Sequence, residues 1–206
     1  MEIVRYAELP PARWANGGGT TRVLASKYLG DGDAAELQWR LSIAEVAAAG
    51  PFSAYPGLDR ILTVVAGELV LLTIDGAEQP LERYRPHKFS GDSEAGASLP
   101  TGPVMDLNVM TRRGAYRGFT TILELSKKRP HPVFEGQFAV LLEGRADVGA
   151  PPGADGGATA PAEGRADDGG ARPTQVLGRY DTVVGSAEAP EILGRGFLAV
   201  VTIEAL

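Results

Sequence analysis

Between Glu36 and Val46 the chain reads ELQWRLSIAEV, an alternation that places Leu37, Trp39, Leu41 and Ile43 on one face and Gln38, Arg40 and Ser42 on the other. A period of two cannot gather an apolar stripe on a helix, so this segment is a strand with two chemically distinct faces. The pattern returns at residues 104–110 and 197–203, and no stretch carries a long 3.6-residue period. Short apolar runs punctuated by Gly, Pro and Asp turns restrict the chain to an all-β sandwich or barrel.

Residues 50–72, GPFSAYPGLDRILTVVAGELVLL, sharpen that class. Ile61, Leu62, Val64 and Val65 lead into a turn at Ala66-Gly67-Glu68 and a second apolar run, which makes a hairpin. The segment resembles the first half of a cupin barrel, in which a Gly- and Pro-flanked loop feeds a strand bearing two histidines and a glutamate. Aligned on Gly67, that pattern puts Arg60 at the glutamate position and Ser53, Ala54, Tyr55 and Pro56 at the histidine positions. Imidazole and carboxylate are the usual donors to such a metal, so no metal or other cofactor is expected. In the second cupin motif Asn108 fits the closing asparagine, and Val104 falls on the histidine position. Alternation places Val104, Asp106, Asn108 and Met110 on one face, so Arg60, Asp106 and Asn108 should converge inside the first barrel.

A guanidinium forks onto a carboxylate and an asparagine offers both donor and acceptor, so a small carboxylate is the matching ligand. The alternative is an internal Arg60–Asp106 ion pair that binds nothing, although burying such a pair is rarely a net gain. Acid–base work by Asp106 would need a raised pKa, which Arg60 should oppose, so no catalytic residue is assigned and binding without chemistry is expected. Phe52, Ser53 and Tyr55 lie on the loop that would form the mouth, Phe52 being better suited to plug the core. In WANGGGTTR (residues 14–22) Asn16 and Thr20 flank three glycines whose N–H groups either cradle an anion or serve a closely packed turn. The lysine of a phosphate-binding loop is missing there. Arg40, on the polar face of its strand, completes the candidate ligand set. Arg112 and Arg113 either steer an anion toward the opening or sit in a solvated turn.

The 206 residues carry a formal charge of −6, which argues against a nucleic-acid partner. With no cysteine, disulfides and thiolate chemistry are excluded. Only His87 and His131 are present, so a three-histidine metal site is impossible. The opening MEIVRYAELPPARW has no leader character and no apolar run approaches a membrane span, so a cytoplasmic protein with no membrane partner is expected. A homodimer is left open.

Residues 61–72 resemble 138–148, both read as apolar strands closed by a Gly turn, and residues 89–110 resemble 177–203. Tandem cupin-like β-barrels with few short helices are therefore expected: residues 1–115 with the pocket, and 116–206 as a degenerate second barrel. Residues 144–173, rich in Gly, Ala, Pro and Asp, should form a mobile surface loop.

Taken in order, WANGGGTTR, WRLSIAEVAAAGPFSAYPGLDRILTVVAGELVLL and GPVMDLNVMTRRG, spread over residues 14–114, resemble the signature of the HutD/Ves family. The resemblance implies a bicupin (jelly-roll) fold in a cytoplasmic bacterial protein associated with histidine utilisation and without established catalytic activity. It also implies restraint of that pathway by binding a formylated or formiminated glutamate, while Ves-type members are linked to stress responses. Two other readings stay open: a cupin-fold isomerase or hydrolase acting on a small acid, and a protein-interaction scaffold.

Overall fold

Strands form wherever the sequence alternates, and they pair antiparallel into three sheets. The computed structural model describes residues 1–32, 35–150 and 174–206. A six-stranded sheet has the order β2 (Ala12–Arg13), β3 (Gly19–Leu29), β4 (Glu36–Val46), β11 (Val104–Arg112), β6 (Leu58–Ala66), β9 (His87–Ser90). A four-stranded sheet runs β5 (Gly50–Pro51), β10 (Ala95–Ser98), β7 (Leu69–Ile74), β8 (Ala77–Glu82). The third follows the path β1 (Glu2–Val4), β16 (Thr182–Val184), β14 (Gln137–Gly149), β17 (Glu191–Ala205), β12 (Tyr116–Leu125), with β13 (His131–Pro132) on β17 and β15 (Gln175–Leu177) on β14. None of the three closes on itself into a barrel by its hydrogen bonds.

The six-stranded sheet is buried on both faces. Leu41, Ile43, Leu107 and Val109 pack against Val140, Leu142, Ala199 and Val201 of the third sheet. The opposite face sets Val46, Leu62, Val64 and Val104 against Val70, Leu72 and Ala97 of the four-stranded sheet. A third core, with Leu141, Val148, Ile192 and Leu198, fills the far side of β14 and β17. Each such aliphatic side chain contributes roughly 1.5–3 kcal/mol on full burial. Because both faces are covered, the polar face of β4 that carries Arg40 and Ser42 also points into the molecule.

Several expectations need correction. Residues 144–149 are not loop: they continue β14, which runs unbroken through Gly144. Gly144 pairs with Gly196, and a Cβ on either would strike the opposite backbone, so these glycines serve a close strand approach rather than a turn. Nor do residues 61–72 form the expected hairpin: β6 pairs with β11 and β9 and β7 with β10 and β8, so the turn at Gly67 carries the chain from one sheet to the other, and the proposed duplication fails. The remainder of the expected loop, 151–173, lies outside the described residues. Helix content among the described residues is a single 3-10 turn, Tyr6–Glu8. No helix among them is long and apolar enough to cross a membrane.

The N-terminus folds onto the C-terminal half. β1 pairs with β16, and Asp181 accepts hydrogen bonds from Arg5 Nη1 (2.7 Å), the Tyr6 amide (3.0 Å) and the Gly178 amide (2.9 Å).

Candidate functional site

One cavity of about 480 Å³ opens over the inner face of the six-stranded sheet. Alternation sets its floor: Arg40 and Ser42 from β4, Arg60 from β6, and Asp106, Asn108 and Met110 from β11. Loops carrying Trp14 and Asn16, and Phe52, Ser53 and Tyr55, form its walls. Met110 is in register with Arg40 on one side and Arg60 on the other. The two arginines thus stand two strand spacings apart, roughly 10 Å between backbones.

Arg60 is 5% exposed and lies over three rings, those of Phe89 (4.8 Å), Tyr55 (5.4 Å) and Phe52 (5.7 Å). Arg40 shares Tyr55, sitting 5.2 Å from the ring centre and donating to its hydroxyl at 3.2 Å. These cation–π contacts fix the heads of both arginines without neutralising them. Arg60 Nη2 donates to Asn108 Oδ1 at 3.3 Å, and Asn108 Nδ2 donates to Asp106 Oδ1. No ion pair joins Arg60 to Asp106 directly; a neutral amide separates them. The Nε groups of Arg60 and Arg40 are buried and have no hydrogen-bond partner in the protein.

Burial pushes the Asp106 carboxyl up to about 7, outweighing the lowering effects of Arg60 and of the Asn108 hydrogen bond. Arg60 does oppose the rise, as expected, but burial outweighs it, since the carboxyl is dry and no ion pair joins it to the cation. Burial also lowers Arg60 from its usual value; Asp106 opposes that fall and Arg40 adds to it.

Among the predicted binding residues, Arg60, Asp106, Asn108, Arg40, Asn16, Phe52 and Ser53 all line the cavity. Thr20 does not: its neighbour Thr21 does, one residue on and so on the other face of β3. Thr21 accepts from Trp14 Nε1 at 2.8 Å, and Trp14 meets Phe52 edge-on at 6.1 Å, which joins the two wall loops. Phe52 plays both suggested parts, lining the cavity while packing on the inner core. The glycine loop is a turn: the Gly17 amide donates to the Trp14 carbonyl and the Gly18 amide to Asn16 Oδ1 at 3.0 Å.

Sequence reasoning missed the brace under the mouth loop. The Gly91 carbonyl accepts from the Tyr55 amide (2.8 Å) and its amide donates to the Leu58 carbonyl (2.7 Å), and a Cβ there would collide with the carbonyl oxygens of Tyr55 and Leu58. Arg113 ties Asp59 and Asp92 together at 3.0 and 2.7 Å, while Asp92 accepts from the Gly57 amide at 2.8 Å. Arg112 donates to the Leu37 carbonyl at 2.9 Å and pairs with Glu36 at 3.2 Å. Arg113 therefore clamps the loop through Asp92, while Arg112 is tied to the start of β4.

The cupin metal does not fit this donor set. Arg60 fills the carboxylate position, and no three His, Cys, Asp or Glu side chains cluster among the described residues. His87 lies on β9 and His131 on β13, in different sheets.

A sequence model of the HutD family matches residues 6–196. The chain belongs to the HutD family. It is 38% identical over 115 residues to Protein Ves of Citrobacter koseri, a match covering 55% of this chain and 59% of that protein. It is 34% identical over 118 residues to an uncharacterized 21.2 kDa protein in the hutC 3' region of Pseudomonas putida, covering 57% and 61%. The chain thus spans about six tenths of these curated relatives' length. Among solved structures, HutD from Pseudomonas fluorescens SBW25, in a formate condition, superposes with a TM-score of 0.73 at 23% identity, covering 100% of this chain and 98% of that one. A cupin 2 conserved barrel domain protein from Leptotrichia buccalis gives 0.53 at 9% identity, covering 98% and 96%. At those identities the two structures establish the fold of this HutD-family chain, all-β and cupin-like.

Proposed function

We propose that this HutD-family protein binds a small dicarboxylate or amide-acid, of the kind represented by a formylated glutamate, in the Arg40–Arg60 cavity and regulates histidine utilisation through that binding. The carrying observation is Arg60, a buried guanidinium whose polar partner is a neutral asparagine and whose Nε is unpaired beside a 480 Å³ cavity. An uncompensated buried cation costs several kcal/mol, and a ligand carboxylate removes that cost. Arg40, facing the same space, supplies a second cationic point for a second acidic group. The location of the Pseudomonas putida relative, in the hutC 3' region, supports the link to histidine utilisation.

The reading extends to architecture and setting. The chain works as two jelly-roll-like halves: the six- and four-stranded sheets hold ligand, and the third sheet, which β1 joins from the N-terminus, is structural, its core filled by Leu141, Ile192 and Leu198. The protein works in the cytoplasm without metal, nucleic acid or membrane, as a monomer or homodimer.

Calorimetric titration with N-formylglutamate, formiminoglutamate, urocanate and glutamate tests this. At least one acid should bind, and Arg60→Ala should weaken it about 100-fold or more, as truncation at a buried charge pair does. No heat from any of the four refutes the ligand assignment. An enzymatic reading draws on Asp106, whose carboxyl near 7 is suited to proton transfer; turnover of any of these compounds would favour it.

A further inference from the structure

Three side chains that carry formal charge line the cavity: Arg40, Arg60 and Asp106. With Asp106 ionised their sum is +1, and with Asp106 protonated it is +2. Only the second state balances a dianion. The geometry makes the same demand locally. Asn108 stands between Arg60 and Asp106, its carbonyl oxygen accepting from one and its amide nitrogen donating to the other. A carboxylate that takes Asn108's place on the Arg60 fork comes to rest next to Asp106, and two carboxylates crowded into a buried site cannot both stay ionised.

We propose that a dianionic ligand enters this cavity together with one proton, which Asp106 holds while Asn108 turns its amide toward the ligand. The inference rests on the carboxylate-binding reading above and specifies how that site responds to pH. In the empty site, the Asn108 N–H2 donates to ionised Asp106 and its oxygen faces Arg60. Once Asp106 takes a proton from solvent, its O–H donates to the amide oxygen after a half-turn of the amide. The N–H2 group is then released to the ligand carboxylate, and Arg60 is freed to fork onto the same group. The Asn108 amide and the Asp106 carboxyl are partnered in both states, and no covalent bond changes apart from the proton taken up by Asp106.

The groups facing Asp106 leave it the natural seat for that proton. β6 presents Arg60, β4 presents Arg40, and the mouth loop presents the Tyr55 phenol. β3 contributes uncharged Thr21, the loop at residues 14–16 carries no ionisable group, and the opposite sheet offers Val70, Leu72 and Ala97. His87, on β9, is in register with Leu62 but does not line the cavity. The carboxyl already sits at about 7 in the empty protein, so loading the proton near neutrality is inexpensive.

The test is calorimetric titration of the full chain with N-formylglutamate, which stays dianionic from pH 6 to pH 9, in pairs of buffers with different ionisation enthalpies. At pH 8 the buffer dependence should report uptake of about one proton per ligand, and Kd should weaken about 100-fold between pH 6 and pH 9. Asp106→Asn should abolish both the uptake and the pH dependence; the wild-type buffer comparison decides by itself if that variant does not fold. Binding with a flat Kd and no buffer dependence overturns this inference and leaves carboxylate binding standing. Absence of binding at every pH overturns both.

Discussion

Replacing Asp106 by asparagine should stabilise the empty protein, and the gain should grow with pH. Asp106 is 1% exposed, and its carboxyl is pushed up to about 7 from 3.8. In the unfolded chain the carboxyl ionises near 3.8, while in the folded protein it keeps its proton until about 7. Across that window the folded state binds more protons, so wild-type stability falls as pH rises from about 4 to about 7 and then levels off. The full effect is about three pK units at 1.36 kcal/mol each, or roughly 4 kcal/mol. Asparagine keeps the shape and an acceptor for Asn108 but cannot ionise. Urea denaturation of both proteins, followed by far-ultraviolet circular dichroism at pH 5, 6, 7, 8 and 9, isolates this group because every other titration is common to the pair. The stability difference in favour of Asp106→Asn should widen by about 3 kcal/mol between pH 5 and pH 8 and then stay constant. A direct Arg60–Asp106 ion pair would give the opposite sign, with the wild type gaining on the variant as pH rises. That result, or a difference independent of pH, would refute the argument.

Gly91→Ala should displace the mouth loop, since its methyl would meet the carbonyl oxygens of Tyr55 and Leu58. Overpacking of this kind costs roughly 1–3 kcal/mol in urea denaturation, and calorimetry should show weakened N-formylglutamate binding as Tyr55 moves. Asp181→Ala removes the acceptor shared by Arg5 and the amides of Tyr6 and Gly178. It should lower stability by roughly 2–4 kcal/mol and speed proteolysis within the first ten residues, a cost set by the donors left unpaired.

Where a property depends on side-chain alternation within one strand, it was legible. The Glu36–Val46 strand has the bounds its pattern implies, and a turn falls at Gly67, although it joins two sheets instead of closing a hairpin. Asp106, Asn108 and Met110 share the cavity face that their spacing assigns them. The misreadings arise where one strand meets another. Gly144 has the composition of a turn, yet it lies in mid-strand because Gly196 of β17 crosses close to it. Which of Thr20 and Thr21 faces the cavity depends on how β3 registers against β4, a non-local property. Gly91 attracted no notice, since its role is to accept a backbone more than thirty residues away in sequence.

The amino-acid sequence by itself determined an all-β chain, the absence of a metal-donor set at the cupin positions, and the pairing of Arg60 with Asn108 on one inner surface. These follow from residue type and a period of two, which are local. Tertiary structure decided what that surface does electrically. Whether Asp106 neutralises Arg60, and how dry it becomes, depends on which side chain occupies the gap between neighbouring strands and on the sheet and loops that cover it. In this fold the gap holds Asn108, so Arg60 makes no ion pair with Asp106, and Asp106 is driven by burial toward its protonated form.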